Sequence, residues 1–176
     1  MHRFLRHFFV LATFLVSSLA ATSQVPYTIG TGTAFNGTTG YPAPYGNFYD
    51  GAKHQMLYTA QELLAAGMPP GQIVALGFDV VATNSMAALP NFTIGLANTT
   101  RNPLYPSTNP FYVTNVPVVF GPTTLNVVST GWTRHDLATP VIWDGVSNLV
   151  VDVCFRNSNC YSYTRNASTR YTITST

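Results

Sequence analysis

The sequence predicts an all-β protein: an antiparallel β-sandwich of jelly-roll type with one short α-helix. Three observations carry this. Several segments alternate apolar with small or polar residues at a period of two, as a strand with one buried and one wetter face does. Gly, Pro, Asn and Asp punctuate the gaps between them. Charged residues make up only 8% of the 176-residue chain, while aromatic residues, which favour strands, make up 13%.

The first element is a leader. Arg3 and Arg6 precede an apolar run, Phe8 to Leu19, and small residues follow at Ala20, Ala21 and Ser23. This is the layout of a secretory signal peptide. The run falls short of the ~20 apolar residues that span a bilayer. Cleavage is expected after Ala20, Ala21 or Ser23, and no cysteine beside the site offers a lipid anchor. Residues 1–23 are therefore assigned to the signal and 24–176 to a single domain, secreted to the outer cell surface or beyond, with no membrane span after processing.

Within the mature chain, Gln24–Thr33 is strand-prone. Strands are also expected around Gln55–Tyr58, Ile73–Val81, Phe92–Ala97, Phe111–Thr114, Val118–Phe120, Leu125–Val128, Thr133–Leu137, Asn148–Phe155 and Tyr171–Thr174. In Asn148–Phe155 the residues Leu149, Val151, Val153 and Phe155 take one face, and Val150, Asp152 and Cys154 the wetter one. Turns are expected at Pro69–Pro70–Gly71, Asn102–Pro103, Gly121–Pro122 and Asp144–Gly145. The helix is Ala60–Ala66. Thr59 and Glu62 form a capping box, and Gly67 stands where a left-handed C-terminal cap belongs. Its single long turn is too short to be stable alone, so Leu63 and Leu64 are expected to plug one end of the sandwich. No fixed-period repeat suggests a solenoid.

Charge excludes one class of function. Arg3 and Arg6 leave with the signal, so the eight basic residues become six against six acidic. Lys53 and the remaining arginines are scattered, and nucleic-acid binding lacks its basic footprint. So little charge also favours contact between copies. Cys154 and Cys160 are an even pair in an exported chain and read as a disulfide closing a short loop, with reduced thiols or a metal pair as alternatives. A bridge over so short a loop adds about 2 kcal/mol. No histidine lies near them to complete a zinc site, and no cofactor is expected.

The candidate binding residues are aromatic. Ala34–Lys53 carries Tyr41, Tyr45, Phe48 and Tyr49 among glycines and prolines. It reads either as a loop presenting rings to a sugar or protein, or as a loop folded across the sheet with its rings as satellite core. Trp132 and Trp143, with Tyr105 and Tyr112, allow a second platform or a core with one exposed indole. His54, His135, Asp50, Glu62, Asp136 and Asp144 are the raw material for a carboxylate or histidine hydrolase. His135 and Asp136 are neighbours, however, and in a strand point to opposite faces. Neither a nucleophile elbow nor a zinc-protease motif is present, so no catalytic residue is assigned. Asn36, Asn91, Asn98 and Asn166 each open an N-x-[ST] triplet, a glycan acceptor in a eukaryotic secretory path.

Two runs carry a resemblance, Gly30–Met68 (GTGTAFNGTTGYPAPYGNFYDGAKHQMLYTAQELLAAGM) and Gly131–Phe155 (GWTRHDLATPVIWDGVSNLVVDVCF). The Tyr-Pro-x-Pro-Tyr-Gly loop, the Lys-His-Gln strand and the Gly-Trp … Trp-Asp-Gly … Asn-Leu-Val-Val-Asp-Val pattern resemble a β-sandwich module of secreted, adhesin-like surface proteins of Bacteroidota. Such proteins often continue into fibronectin type III-like domains and a type IX secretion sorting domain. The sequence ends at Thr176 without one, which reads as a fragment or as a short stand-alone member. The resemblance implies a non-catalytic surface module, with other copies of itself or surface glycans and proteins as partners. Strand-prone Gln24–Thr33 suggests a specific route, in which one copy's N-terminus pairs with another's open edge to build a fibre. A carbohydrate-binding module using the aromatic loop is the alternative, and a hydrolase the second alternative.

Overall fold

Leu149, Val151, Val153 and Phe155, the apolar half of the 148–155 alternation, all face one core. They do so in a computed structural model that describes residues 24–49, 51–102, 113–126, 129–156 and 165–173. The strands are β1 (Ala34–Phe35), β2 (Gly51–Tyr58), β3 (Gly71–Ala82), β4 (Leu89–Thr99), β5 (Val118–Leu125), β6 (Gly131–Trp143), β7 (Asn148–Arg156) and β8 (Ser168–Tyr171). The helix α1 (Ala60–Ala65) lies between β2 and β3.

Two four-stranded sheets form, one in the order β1-β8-β3-β6 and the other β2-β7-β4-β5. All pairings are antiparallel, and they nest: β1 with β8, β2 with β7, β3 with β6, β4 with β5. A long hairpin rolled onto itself gives this order, which is the jelly roll. Facing rows from both sheets fill the interior, among them Phe92, Ile94 and Leu96 of β4, Val80 of β3, and Leu137 and Trp143 of β6.

The helix has its expected caps. The Thr59 side chain accepts from the Glu62 amide, Glu62 reaches back to the Thr59 amide, and Gly67 has φ +81°. Only Leu63 plugs the sandwich, because Leu64 points to solvent. A six-residue helix has one inward stripe, and the two leucines are 100° apart around it.

One expected turn lies inside a strand: Gly121–Pro122 is part of β5. The expected strand Thr133–Leu137 runs on through Pro140 to Trp143 as β6. Both strands are sheet edges, where a proline's missing N–H leaves no ladder bond unmade. Gly121 takes φ +80° at the irregular β4–β5 register.

The C-terminal strand is Ser168–Tyr171, earlier than the expected Tyr171–Thr174. Gln24–Thr33 forms no strand. Val113 and Thr114 lie outside any strand, and residues 111–112 are outside the described residues. The face of β7 expected to be wetter is covered: Val150 is buried and Asp152 is only 7% exposed. Residues 113–117 cross that face. Gln55 bonds the Val113 backbone in both directions at 2.8 Å, and Pro117 accepts from the Leu96 amide at 3.2 Å. Asp152 there accepts from Lys53 and, at 2.8 Å, from Gln55. The β2-β7-β4-β5 sheet is thus covered on both sides, whereas the outer face of the other carries Trp132, Arg134 and Asp136 in solvent.

Candidate functional site

The aromatic loop sends Tyr45 into the core and leaves Tyr41 and Tyr49 at the surface. Three buried asparagines fix its course. Asn36 donates to the Ala167 carbonyl at 2.8 Å and accepts from the Thr169 amide at 2.7 Å. Asn166 accepts from the Phe48 amide and donates to the Gly40 carbonyl, both at 2.9 Å. Asn47 donates to Ala87 at 3.0 Å in the β3–β4 connection. Buried backbone groups that lack ladder partners find them here. Asn36 and Asn166 are thereby structural, while Asn91 and Asn98 are at the surface.

Tyr45 goes inward and is fully buried, with Phe78 edge-on at 5.7 Å. Its hydroxyl lies 2.7 Å from His135 Nε2. Burial pushes the phenol upward, partly offset by a hydrogen bond from Thr133. Burial also lowers His135 to about 4, against the smaller opposing pull of the Asp136 charge. Both groups are therefore neutral at pH 7, so the phenol donates and the imidazole accepts. Asp136 is on the opposite face, as strand alternation requires, and pairs with Arg134 at 2.6 Å.

Tyr41 and Tyr49 stay at the surface with ring centroids 6.0 Å apart and planes 10° from parallel. His54 of β2 stacks on Tyr41 at 4.9 Å, and Phe48 meets Tyr49 edge-on at 5.0 Å. Burial raises the Tyr41 phenol, with a smaller contribution from Tyr49, and burial lowers His54. The result is a short ladder of rings at one end of the sandwich.

The tryptophans separate. Trp143 is core, its indole donating to the Ser147 carbonyl at 2.8 Å, so it is not a binding residue as expected. Trp132 is 61% exposed. It belongs to a cross-strand row on the open face: Phe35 of β1 opposite Arg170 of β8, and Asp79 of β3 opposite Trp132 of β6. Arg170 and Asp79 join the two halves at 2.9 Å. Tyr105 and Tyr112 are outside the described residues.

Among the described residues, the titratable groups considered for hydrolysis form no hydrogen-bonded pair with one another. Asp144 makes its own turn, accepting from the Val146 and Ser147 amides at 2.9 and 2.7 Å. The Ser147 hydroxyl and these amides lower its carboxyl. Glu62 is occupied in the helix cap, and Asp50 is outside the described residues. Among the described residues no group of three His, Cys, Asp or Glu is arranged to hold a metal, and no helix is long and apolar enough to cross a membrane. Cys154 is on β7; Cys160 and residues 1–23 are outside the described residues, so the disulfide and the signal rest on the sequence.

Strand β8 pairs with β3 only at Val80 and Ala82. From Gly71 to Phe78, β3 is laddered to β6 on one side and, among the described residues, has no strand on the other. A cleft of about 960 Å³ opens along this stretch. Leu63, Leu96, Leu149 and Val151 of the core line it together with Gln24–Ile29. A gap inside a sheet depends on where β8 stops, and periodicity in β3 carries no such signal.

No protein-family profile, curated protein or solved structure matches the chain.

Proposed function

We propose that the chain is a secreted, non-catalytic module of the cell surface or extracellular space that works by adhesion or self-assembly. The Gly71–Phe78 edge of β3, which has no second partner strand among the described residues, carries this reading. In a ladder, alternate residues turn N–H and C=O to the same side, so eight residues leave about four pairs of such groups without a strand. The stretch is GQIVALGF, without charge or proline, and it borders a cleft that reaches the core. An uncharged, apolar edge of this kind is a template for an added strand. Assembly on it is tested by measuring the mass of the purified mature chain by light scattering from micromolar to millimolar concentration, together with its retention on cell-surface material. A monomer throughout, retained by nothing, overturns the proposal.

A second reading is supported by the Tyr41–Tyr49 ladder. Parallel exposed rings on a braced loop suit the apolar faces of a sugar. A glycan array with hits that Tyr41→Ala/Tyr49→Ala abolishes would establish it. An array without hits would remove it.

A further inference from the structure

Each strand of the β1-β8-β3-β6 sheet contributes one side chain to a single row. Phe35 of β1 stands opposite Arg170 of β8, and Asp79 of β3 opposite Trp132 of β6. Arg170 donates to Asp79 at 2.9 Å, which joins the two pairs across the β8–β3 boundary. Residues directly opposite in antiparallel strands turn their side chains to the same face. That face is the outer one, because Val80 and His135, of the other parity in β3 and β6, are buried. Phe35 is 54% and Trp132 61% exposed, and neither ring packs in the core. The Arg170 and Asp79 side chains are 45% and 24% exposed. Neighbouring strands lie about 4.8 Å apart, so three spacings set the Phe35 and Trp132 backbones about 14 Å apart. The row is a flat line with a ring at each end and an ion pair between.

We propose that this row holds an extended, uncharged polysaccharide of pyranose units with equatorial substituents, laid across the strands. The proposal rests on the adhesion reading above and names what is adhered to.

The order of groups along the row selects this ligand. A protein interface has an apolar centre and a polar rim. Here the polar pair is central and the apolar rings are at the ends, which is the reverse. A lipid surface would have to desolvate the central charges. A chain of pyranoses asks for neither. Its units present C–H groups on their faces and hydroxyls around their rims, so two separated units can stack on Phe35 and Trp132 while the units between them lay hydroxyls on the ion pair. The bond to Asp79 engages a single N–H of the guanidinium, and a carboxylate has further acceptor sites, so donors and acceptors remain for those hydroxyls. Arg170 and Asp79 cancel as a unit, so the row favours neither an acidic nor a basic ligand. Equatorial substituents keep the chain straight and its faces bare, which a line of this length on a flat sheet requires.

The test uses the mature chain, β-linked hexasaccharides of glucose, xylose and N-acetylglucosamine, and a hexasaccharide of galacturonic acid as the charged comparison. At least one neutral hexasaccharide is expected to protect Trp132 from acrylamide quenching, while its monosaccharide, which reaches one ring only, does not. Trp132→Ala and Phe35→Ala should each weaken that binding, measured by calorimetry, at least about tenfold. Trp132→Phe keeps a ring and should retain most of it, and Tyr41→Ala/Tyr49→Ala should bind as wild type does. The substitutions in the row fall on exposed side chains, and melts equal to the wild type's verify the fold. No binding of any neutral hexasaccharide overturns the proposal, and binding of the charged one alone overturns an uncharged ligand. Binding that Tyr41→Ala/Tyr49→Ala abolishes and Trp132→Ala spares overturns the row as the site. Retention on cell-surface material that is lost both with Trp132→Ala and on protease treatment of that material makes the partner a protein and overturns a glycan. Equal retention of wild type and Trp132→Ala overturns the row and leaves the adhesion reading standing. A wild type that binds a hexasaccharide through the row, yet is retained by nothing and never assembles, overturns the adhesion reading alone.

Discussion

Acidification should destabilise the protein through one buried histidine. His135 is neutral in the folded state, held to about 4 by burial, and titrates near 6.5 when unfolded. Between these values the unfolded chain binds the extra proton, so stability rises with pH there and falls as pH drops. The contribution is fully present above 6.5 and is lost as pH falls toward 4. At 1.36 kcal/mol per pH unit the whole interval corresponds to about 3 kcal/mol, and partial solvent screening reduces this to about 2 kcal/mol. Protonation also removes the acceptor that Tyr45 uses at 2.7 Å. Urea unfolding at intervals from pH 7 to pH 4 measures the loss. His135→Gln retains an acceptor for Tyr45 without a titrating group. Groups common to both proteins, such as His54 and Asp144, cancel in the comparison. Wild type should lose about 2 kcal/mol more than the variant over that interval. Parallel curves would refute the argument that His135 is buried as the neutral form.

Two further outcomes follow from burial. Asn166→Ala removes the hydrogen bonds that this fully buried side chain makes to the Phe48 amide and the Gly40 carbonyl, both half-buried, and should cost about 1–3 kcal/mol by chemical denaturation. A loss under about 0.5 kcal/mol would mean that the loop is not held by this side chain. Trp132 and Trp143 should be distinguishable by fluorescence: acrylamide should quench Trp132 and spare Trp143, and Trp132→Phe should leave a blue-shifted, poorly quenched emission.

The strand pattern was legible wherever one face is buried and the other is not. β3, β4 and β7 fall where alternation puts them, because an apolar row must meet another. The helix was legible from its capping residues alone. What failed was punctuation read without position. Gly121–Pro122 would break a central strand, but it sits on an edge strand, and edge status is a property of the whole sheet. The β7 outer face failed for a related reason. Val150 and Asp152 look half-wet in isolation, and the segment that covers them is more than 30 residues away in sequence. In the aromatic loop, composition identified the rings, but only the asparagine contacts decide that Tyr45 goes in while Tyr41 and Tyr49 stay out.

The edges of the two sheets bear on assembly more strongly than any single cleft. Among the described residues every formal edge strand carries a device that discourages pairing: β1 is two residues long, β2 bears Lys53, β5 bears Pro122 and β6 bears Pro140. In a chain with this little charge, such devices oppose pairing at those edges. The Gly71–Phe78 stretch is the exception. It belongs to a central strand and among the described residues pairs with β8 only at Val80 and Ala82, and its sequence is that of a strand with neighbours on both sides. On the assembly proposal, four protected edges beside one interior edge that lacks a second strand among the described residues would direct association to a single place. If that interior edge is the place, a charge there should act where the same charge elsewhere does not. Gln72→Lys should raise the concentration needed for assembly at least about tenfold, because an added strand would have to cover it, while Thr124→Lys on β5 should leave assembly unchanged. Equal effects from both would mean that association is a diffuse consequence of low charge and that the gap in the sheet does not direct it.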